Sequence, residues 1–175
     1  MATPPLRLEF VQSATSVDDL PPTPGEVAIV GRSNVGKSSI INALANRTAL
    51  ARVSKSPGRT QLLNLFALSD GYTVMDLPGY GYAQVPASVR AGWPAMIEGY
   101  LLGRAGLTTV VTLVDAEVGP TKLDLTTLAW LRDAGLPVQV VATKADKVKA
   151  TKRDRRRAEV ADGVGQADVL WVSAA

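Results

Sequence analysis

The stretch Gly31-Arg-Ser-Asn-Val-Gly-Lys37-Ser38-Ser39 leaves this chain few folds to adopt. It fits G-x-x-x-x-G-K-[ST], and its surroundings fit what that pattern needs. Before it, Glu26 to Val30 is a short apolar run that reads as a buried strand. After it, Ser39 to Asn46 has helical spacing, with Ile40, Ile41 and Leu44 able to face a sheet. A strand, a glycine loop and a helix N-terminus make an anion site, because backbone N–H groups and the positive helix end converge on one point. Gly31, Arg32, Ser33, Asn34, Val35, Gly36, Lys37, Ser38 and Ser39 are the candidate phosphate-binding residues. Lys37 can reach the outer phosphates, and the Ser38 hydroxyl can ligate Mg²⁺.

Composition limits the chemistry further. The chain has no cysteine and no histidine, which excludes disulfides, thiolate metal sites and imidazole catalysis. Carboxylates, hydroxyls, lysine, backbone groups and an oxygen-bound metal remain. The opening segment lacks the apolar core of a signal peptide, and no run approaches the roughly 20 apolar residues of a membrane span. The expectation is a soluble, cytoplasmic, monomeric protein.

Along the chain, 1–25 reads as an edge strand, with Leu6, Leu8 and Phe10 alternating, followed by a proline-rich connector. Residues 26–175 then alternate strands with helices. Strands are expected at 62–68, 72–75, 108–114, 137–143 and 168–172, the first two forming a hairpin through Ser69-Asp70-Gly71. Helices are expected at about 88–102, 121–134 and 152–162. The implied fold class is α/β: a mostly parallel mixed sheet with an antiparallel edge region and helices on both faces. A sheet of this kind usually carries one more helix after its last strand, and here the sequence stops first.

Ligands of open parallel sheets sit at the carboxyl ends of the strands. One such end gives Asp76-Leu77-Pro78-Gly79, where the aspartate can hold Mg²⁺ through a water and the glycine N–H can meet a terminal phosphate. Another gives Thr143-Lys144-Ala145-Asp146. A carboxylate at Asp146 can accept from guanine N1–H and the 2-amino group, a donor pair adenine lacks. The Lys144 stem can pack on the base, and a backbone N–H of Ser173-Ala174-Ala175 can meet guanine O6. Between the phosphate helix and the hairpin, Gly58, Arg59, Thr60 and Gln61 lie in a loop. There Thr60 can give Mg²⁺ a second protein oxygen when a γ-phosphate is present. Each short motif also has a plainer reading as a turn, and only their order at strand ends gives them weight.

Together these segments resemble the EngB (YihA/YsxC) family of bacterial P-loop GTPases, from about Phe10 onward. The resemblance implies GTP and GDP as ligands, with Mg²⁺, and a role in large ribosomal subunit assembly linked to normal division and septation. It also implies Lys37, Thr60, Gly79 and Asn34 as catalytic candidates and Ser38, Thr60 and Asp76 around the metal. Tyr80 stands where Ras-like enzymes carry glutamine, so intrinsic hydrolysis is expected to be slow. In related GTPases an asparagine at the position of Asn34 ligates K⁺, though a residue that tolerates a tight turn explains it equally well. Gln61 is a weaker catalytic substitute. Family members usually continue into a basic terminal helix that this sequence lacks.

Charge adds a partner. Lys144 to Arg157 holds eight basic and two acidic residues, against a net +3 for the whole chain. That stretch is either a solvated helix face or a contact for ribosomal RNA phosphates. Its helix has few large apolar residues to insert in a membrane. Competing readings are an ATPase or phosphotransferase with the same loop, and a septal GTP-binding protein.

Overall fold

The computed structural model describes residues 4–51, 62–81 and 95–174. Their strands form one seven-stranded sheet in the order β1-β3-β4-β2-β5-β6-β7. The strands are β1 (Leu8–Ala14), β2 (Glu26–Gly31), β3 (Leu63–Leu68), β4 (Thr73–Asp76), β5 (Leu107–Asp115), β6 (Val138–Thr143) and β7 (Leu170–Trp171). β4, β2, β5, β6 and β7 run parallel, whereas β3 is antiparallel to both β1 and β4. The expected mixed sheet with an antiparallel edge is therefore observed. The β3–β4 hairpin turns where expected: Asp70 Oδ1 accepts from Tyr72 N–H at 3.3 Å, and Gly71 sits at φ 89°.

Among the described residues four α-helices pack on this sheet: α1 (Lys37–Leu44), α2 (Ala95–Gly103), α3 (Lys122–Asp133) and α4 (Arg153–Val164). β2 shows why both faces need cover, since successive strand side chains point to opposite sides. Ile29 packs with Ile41, Phe66, Leu113 and Val141 on the α1 side. Ala28 and Val30 pack with Met75, Tyr100, Leu101 and Leu131 on the side of α2 and α3. Val160 and Val164 of α4 join Leu128 over Val140 and Ala142.

Several details differ from the pattern-based expectation. α1 ends at Leu44, which is 43% exposed; the core face instead carries Ile41 and Ala45, four residues apart. Asn42 is buried because its side chain exchanges two hydrogen bonds with the Ala51 backbone, at 2.9 and 2.7 Å. In β1 only Leu8 of the three alternating residues is buried. Phe10 lies at the rim, edge-on to Phe66, just before a register shift between Phe10 and Gln12. β7 is shorter than expected, because only Leu170 and Trp171 pair with β6. Trp130 packs against the core, and Trp171 is half-buried with Arg157 over its ring, which suits packing rather than base stacking. The start of the helix expected at 88–102, with Trp93, lies outside the described residues.

Candidate functional site

The carboxyl ends of β2, β4, β5 and β6 open on the same side of the sheet, and the segments singled out in the sequence meet there. β2 leads directly into the glycine loop. Asn34 (φ 62°) and Gly36 (φ 109°) take left-handed backbone conformations, and Gly36 caps α1. Such alternation turns successive backbone N–H groups toward one concave point, at the positive end of the helix.

The structure divides the loop residues by task. Val35 is buried and its carbonyl accepts from Thr143 Oγ1 at 2.6 Å, so the loop is braced from β6. The Ser33 N–H donates to Tyr80 O at 2.9 Å, and the Tyr80 N–H donates to Gly31 O at 3.3 Å. One donor and one acceptor of the phosphate loop are thus already tied to the residue that follows the D-x-x-G turn. Arg32 turns away toward Asp124, with Nε 3.8 Å from Oδ2. Asn34 is exposed at the tip, while Gly36, Lys37, Ser38 and Ser39 are half-buried around the helix start.

Asp76 and Gly79 arrive from β4. A Cβ on Gly79 would lie 3.1 Å from Ser33 N and Cα and 3.2 Å from Lys37 Nζ, so the glycine permits this close approach. Leu77 is fully buried in the core and contributes only backbone to the site. Asp76 is 5% exposed, and its Oδ1 is a buried oxygen with no hydrogen-bond partner among the described residues. A buried acceptor left open near the Lys37 ammonium suits a hydrated hard cation, which takes most ligands from water and phosphate oxygens. Burial pushes Asp76 up to about 6, against the pull of Lys37. The same burial lowers the Lys37 ammonium, with Asp76 opposing.

This arrangement has a measurable consequence. Between its ordinary value of 3.8 and about 6, native Asp76 binds a proton that the unfolded chain releases. Its contribution to the stability of nucleotide-free protein therefore falls as pH rises through that window and is level above it. Asp76→Asn is expected to stabilise nucleotide-free protein by about 2 kcal/mol at neutral pH while removing the cation ligand. Urea denaturation across the window checks this. A stability difference from wild type that did not change with pH would contradict it.

On the β6 side, Lys144 adopts φ 55° and its Nζ lies 2.6 Å from Asp115 Oδ2. Burial pushes Asp115 up, but Lys144 and the N–H groups of Val118 and Glu117 outweigh it and hold the carboxyl low. The lysine stem thus runs along the site with its head fixed by a carboxylate. Asp146 is exposed beyond it. Ser173 Oγ donates to Asp146 Oδ1 at 2.6 Å and, with lesser help from Lys147, keeps it ionised. The Ala145 N–H donates to Val172 O at 3.1 Å, joining the two segments expected around a base. Ala174 follows, exposed. Gly58, Arg59, Thr60, Gln61 and Ala175 lie outside the described residues.

Two participants, Asp115 and Asp124, were missed from the sequence. Asp115 ends β5, and the strand-end rule that selected Asp76 would have found it. Asp124 and Tyr80 are joined by a 2.8 Å hydrogen bond from the phenol to Oδ1. Thr121-x-x-Asp124 was legible as a capping box, but its partner 44 residues earlier was not. The phenol is buried against α3, in keeping with the reading that Tyr80 leaves the place of the Ras-like glutamine without a substitute.

A family model described as a 50S ribosome-binding GTPase matches residues 26–144. A probable GTP-binding protein EngB of Pelotomaculum thermopropionicum is 51% identical over 83% of this chain and 74% of its own length. Another from Geobacter sulfurreducens is 47% identical over 91% of this chain and 78% of its own. Among solved structures, a probable GTP-binding protein EngB superposes with a TM-score of 0.68 at 24% identity, covering 86% of this chain and 89% of that one. Era, solved with MgGDPNP and nucleotides 1506–1542 of 16S ribosomal RNA, gives 0.63 at 24% identity over 88% of this chain and 52% of its own, a likeness of fold. With a phosphate loop, a D-x-x-G turn and a T-K-A-D segment converging as they do here, and with relatives this similar, the chain belongs to the EngB family of P-loop GTPases.

Proposed function

We propose that this GTPase is a nucleotide-dependent switch in assembly of the large ribosomal subunit, working in the cytoplasm as a monomer. The convergence of the glycine loop, Asp76–Gly79 and Thr143–Asp146 on one end of the sheet carries the nucleotide part of this reading. The phosphates lie in the loop from Gly31 to Ser39, with Lys37 on the outer ones. Ser38 would hold Mg²⁺, with Asp76 and, in the GTP state, Thr60 contributing further oxygens. When bound, Mg²⁺ would neutralise negative charge on the phosphates. The Gly79 N–H senses the γ-phosphate, and Lys144, Ala145, Asp146 and Ser173–Ala174 read guanine.

Hydrolysis adds water to the γ-phosphorus as the bridging oxygen leaves with GDP. In this reading, positioning by backbone groups and a cation carries the rate. Asn34, exposed at the loop tip, is the residue that would help hold K⁺ in this reading. Faster turnover in KCl than in NaCl is the corresponding expectation.

The ribosomal part rests on the family description and on the basic surface. Lys147, Lys149, Lys152, Arg153, Arg155 and Arg157 are exposed around the start of α4, which sends Val160 and Val164 inward. Glu159 pairs with Arg155 at 2.7 Å and Arg156 at 3.3 Å, and the remaining charge stays available to phosphates. No helix among the described residues is long and apolar enough to cross a membrane. A link to normal cell division and septation belongs to the same reading. The test is co-sedimentation with isolated large subunits, with a GTP analogue, with GDP and without nucleotide, at two salt concentrations. Binding that favours the GTP analogue and weakens with salt supports the reading. No binding in any state overturns the ribosomal part.

A further inference from the structure

Asp124 is a fully buried carboxylate at the third position of α3, and capping the helix uses only half of it. Oδ2 accepts from Thr121 N–H at 2.8 Å and Thr121 Oγ1 at 2.7 Å. Oδ1 accepts from the Tyr80 phenol at 2.8 Å. Arg32 Nε, itself buried with no hydrogen-bond partner among the described residues, lies 3.8 Å from Oδ2. Exposed capping aspartates satisfy a helix without such burial, which is unfavourable for a charge unless other groups need it there.

The groups it gathers belong to both halves of the phosphate site. Tyr80 follows Gly79 directly, and Arg32 precedes Ser33, whose N–H is bound by Tyr80 O. The turn also docks on α3 a second time: Gly81, at φ 81°, would place a Cβ 2.9 Å from Leu123 Cδ2. The segment just after the peptide that must meet the γ-phosphate is thus held to the first turn of α3 at two successive residues, Tyr80 and Gly81.

We propose that Asp124 is a positioning residue for the nucleotide cycle, coupling the D-x-x-G turn through Tyr80, and the phosphate loop through Arg32, to the first turn of α3. The inference rests on the switch reading above. When Gly79 shifts to meet or leave a γ-phosphate, Tyr80 shifts with it, and the α3 N-terminus follows. The coupling is reciprocal: loosening α3 from Tyr80 weakens discrimination between GTP and GDP.

The experiment uses Tyr80→Phe, which removes one hydroxyl, and Asp124→Asn, which keeps shape and an acceptor for the cap. Affinities for a GTP analogue and for GDP are measured for each, with melting temperature alongside. Hydrogen exchange across 118–131 is compared between the two bound states. The account expects the ratio of GTP-analogue to GDP affinity to fall about 5- to 10-fold in both variants. It also expects a nucleotide-dependent difference in protection at 118–131 in wild type that Tyr80→Phe abolishes. A lowered melting temperature with an unchanged affinity ratio and an unchanged exchange pattern would make Asp124 structural only and overturn the inference. Wild-type protein that bound no guanine nucleotide would instead remove the switch reading beneath it.

Discussion

Replacing Asp146 with asparagine is expected to weaken GTP binding on the order of 10⁴-fold and to make the xanthine nucleotide the better ligand. The Ser173 hydrogen bond lowers the carboxyl of Asp146 below the usual range, and in the proposed reading its two oxygens accept from guanine N1–H and the 2-amino group. An asparagine presents an NH₂ to one of those donors, and two donors facing each other leave both unsatisfied. Xanthine carries a carbonyl at that carbon and accepts from the amide. Ser173 still reaches the amide oxygen, so the segment from 143 to 147 keeps its shape. Competition titrations with GTP and xanthosine triphosphate provide the check. GTP affinity within about tenfold of wild type, with no gain for the xanthine nucleotide, would mean the base is read elsewhere.

The second large effect lies at the other end of β2 and touches stability alone. Glu26 is buried at the start of the strand and collects Arg104 at 2.9 and 3.1 Å, the Tyr100 phenol at 2.6 Å and Thr73 Oγ1 at 2.6 Å. Arg104 also donates to Pro21 O at 2.8 Å, so the cluster fastens the proline-rich connector, β4 and the end of α2 to the central strand. Burial, and then the adjacent Glu26 carboxylate, push the Tyr100 hydroxyl well above the usual phenol range, so it remains a donor. Glu26→Ala strands the Arg104 guanidinium in a dry site and is expected to cost about 3–5 kcal/mol. Glu26→Gln, which keeps two hydrogen-bonding atoms but no charge, should fall between. Urea denaturation measures both. GDP affinity of the folded fraction should be unchanged, because the cluster and the phosphate loop lie at opposite ends of β2. A cost below about 1 kcal/mol for the alanine variant would contradict this account of the cluster.

How far the sequence could be read differs from element to element for identifiable reasons. The phosphate loop was legible because its chemistry forces a strand before it and a helix after it within a dozen residues. Asp76 and Thr143–Asp146 followed from one geometric rule about strand ends. What escaped depends on contacts between distant residues. Asn42 lies where helical spacing predicts a half-exposed polar side chain, and only the return of the backbone at Ala51 makes it a buried tie. Leu44 has the spacing of a core residue but stands at the end of α1, past the edge of what the sheet covers. Tyr80 reads only as the absence of a glutamine, and its bond to Asp124, 44 residues on, is invisible in the sequence. Glu26 reads as the polar start of a strand until Tyr100 and Arg104, more than 70 residues on, close over it.

The most direct test of the account is a calorimetric titration of the protein with GDP, a non-hydrolysable GTP analogue and the matching ATP analogue, in Mg²⁺ and again with a chelator. The geometry predicts that both guanine nucleotides bind at one site, and that the ATP analogue binds at least about 100-fold more weakly. Chelation should weaken the GTP analogue, because Asp76 and the terminal phosphates then face each other without a cation. Equal affinity for the ATP and GTP analogues, indifferent to Mg²⁺, would contradict the assignment of Asp146 to guanine and of Ser38 and Asp76 to the metal.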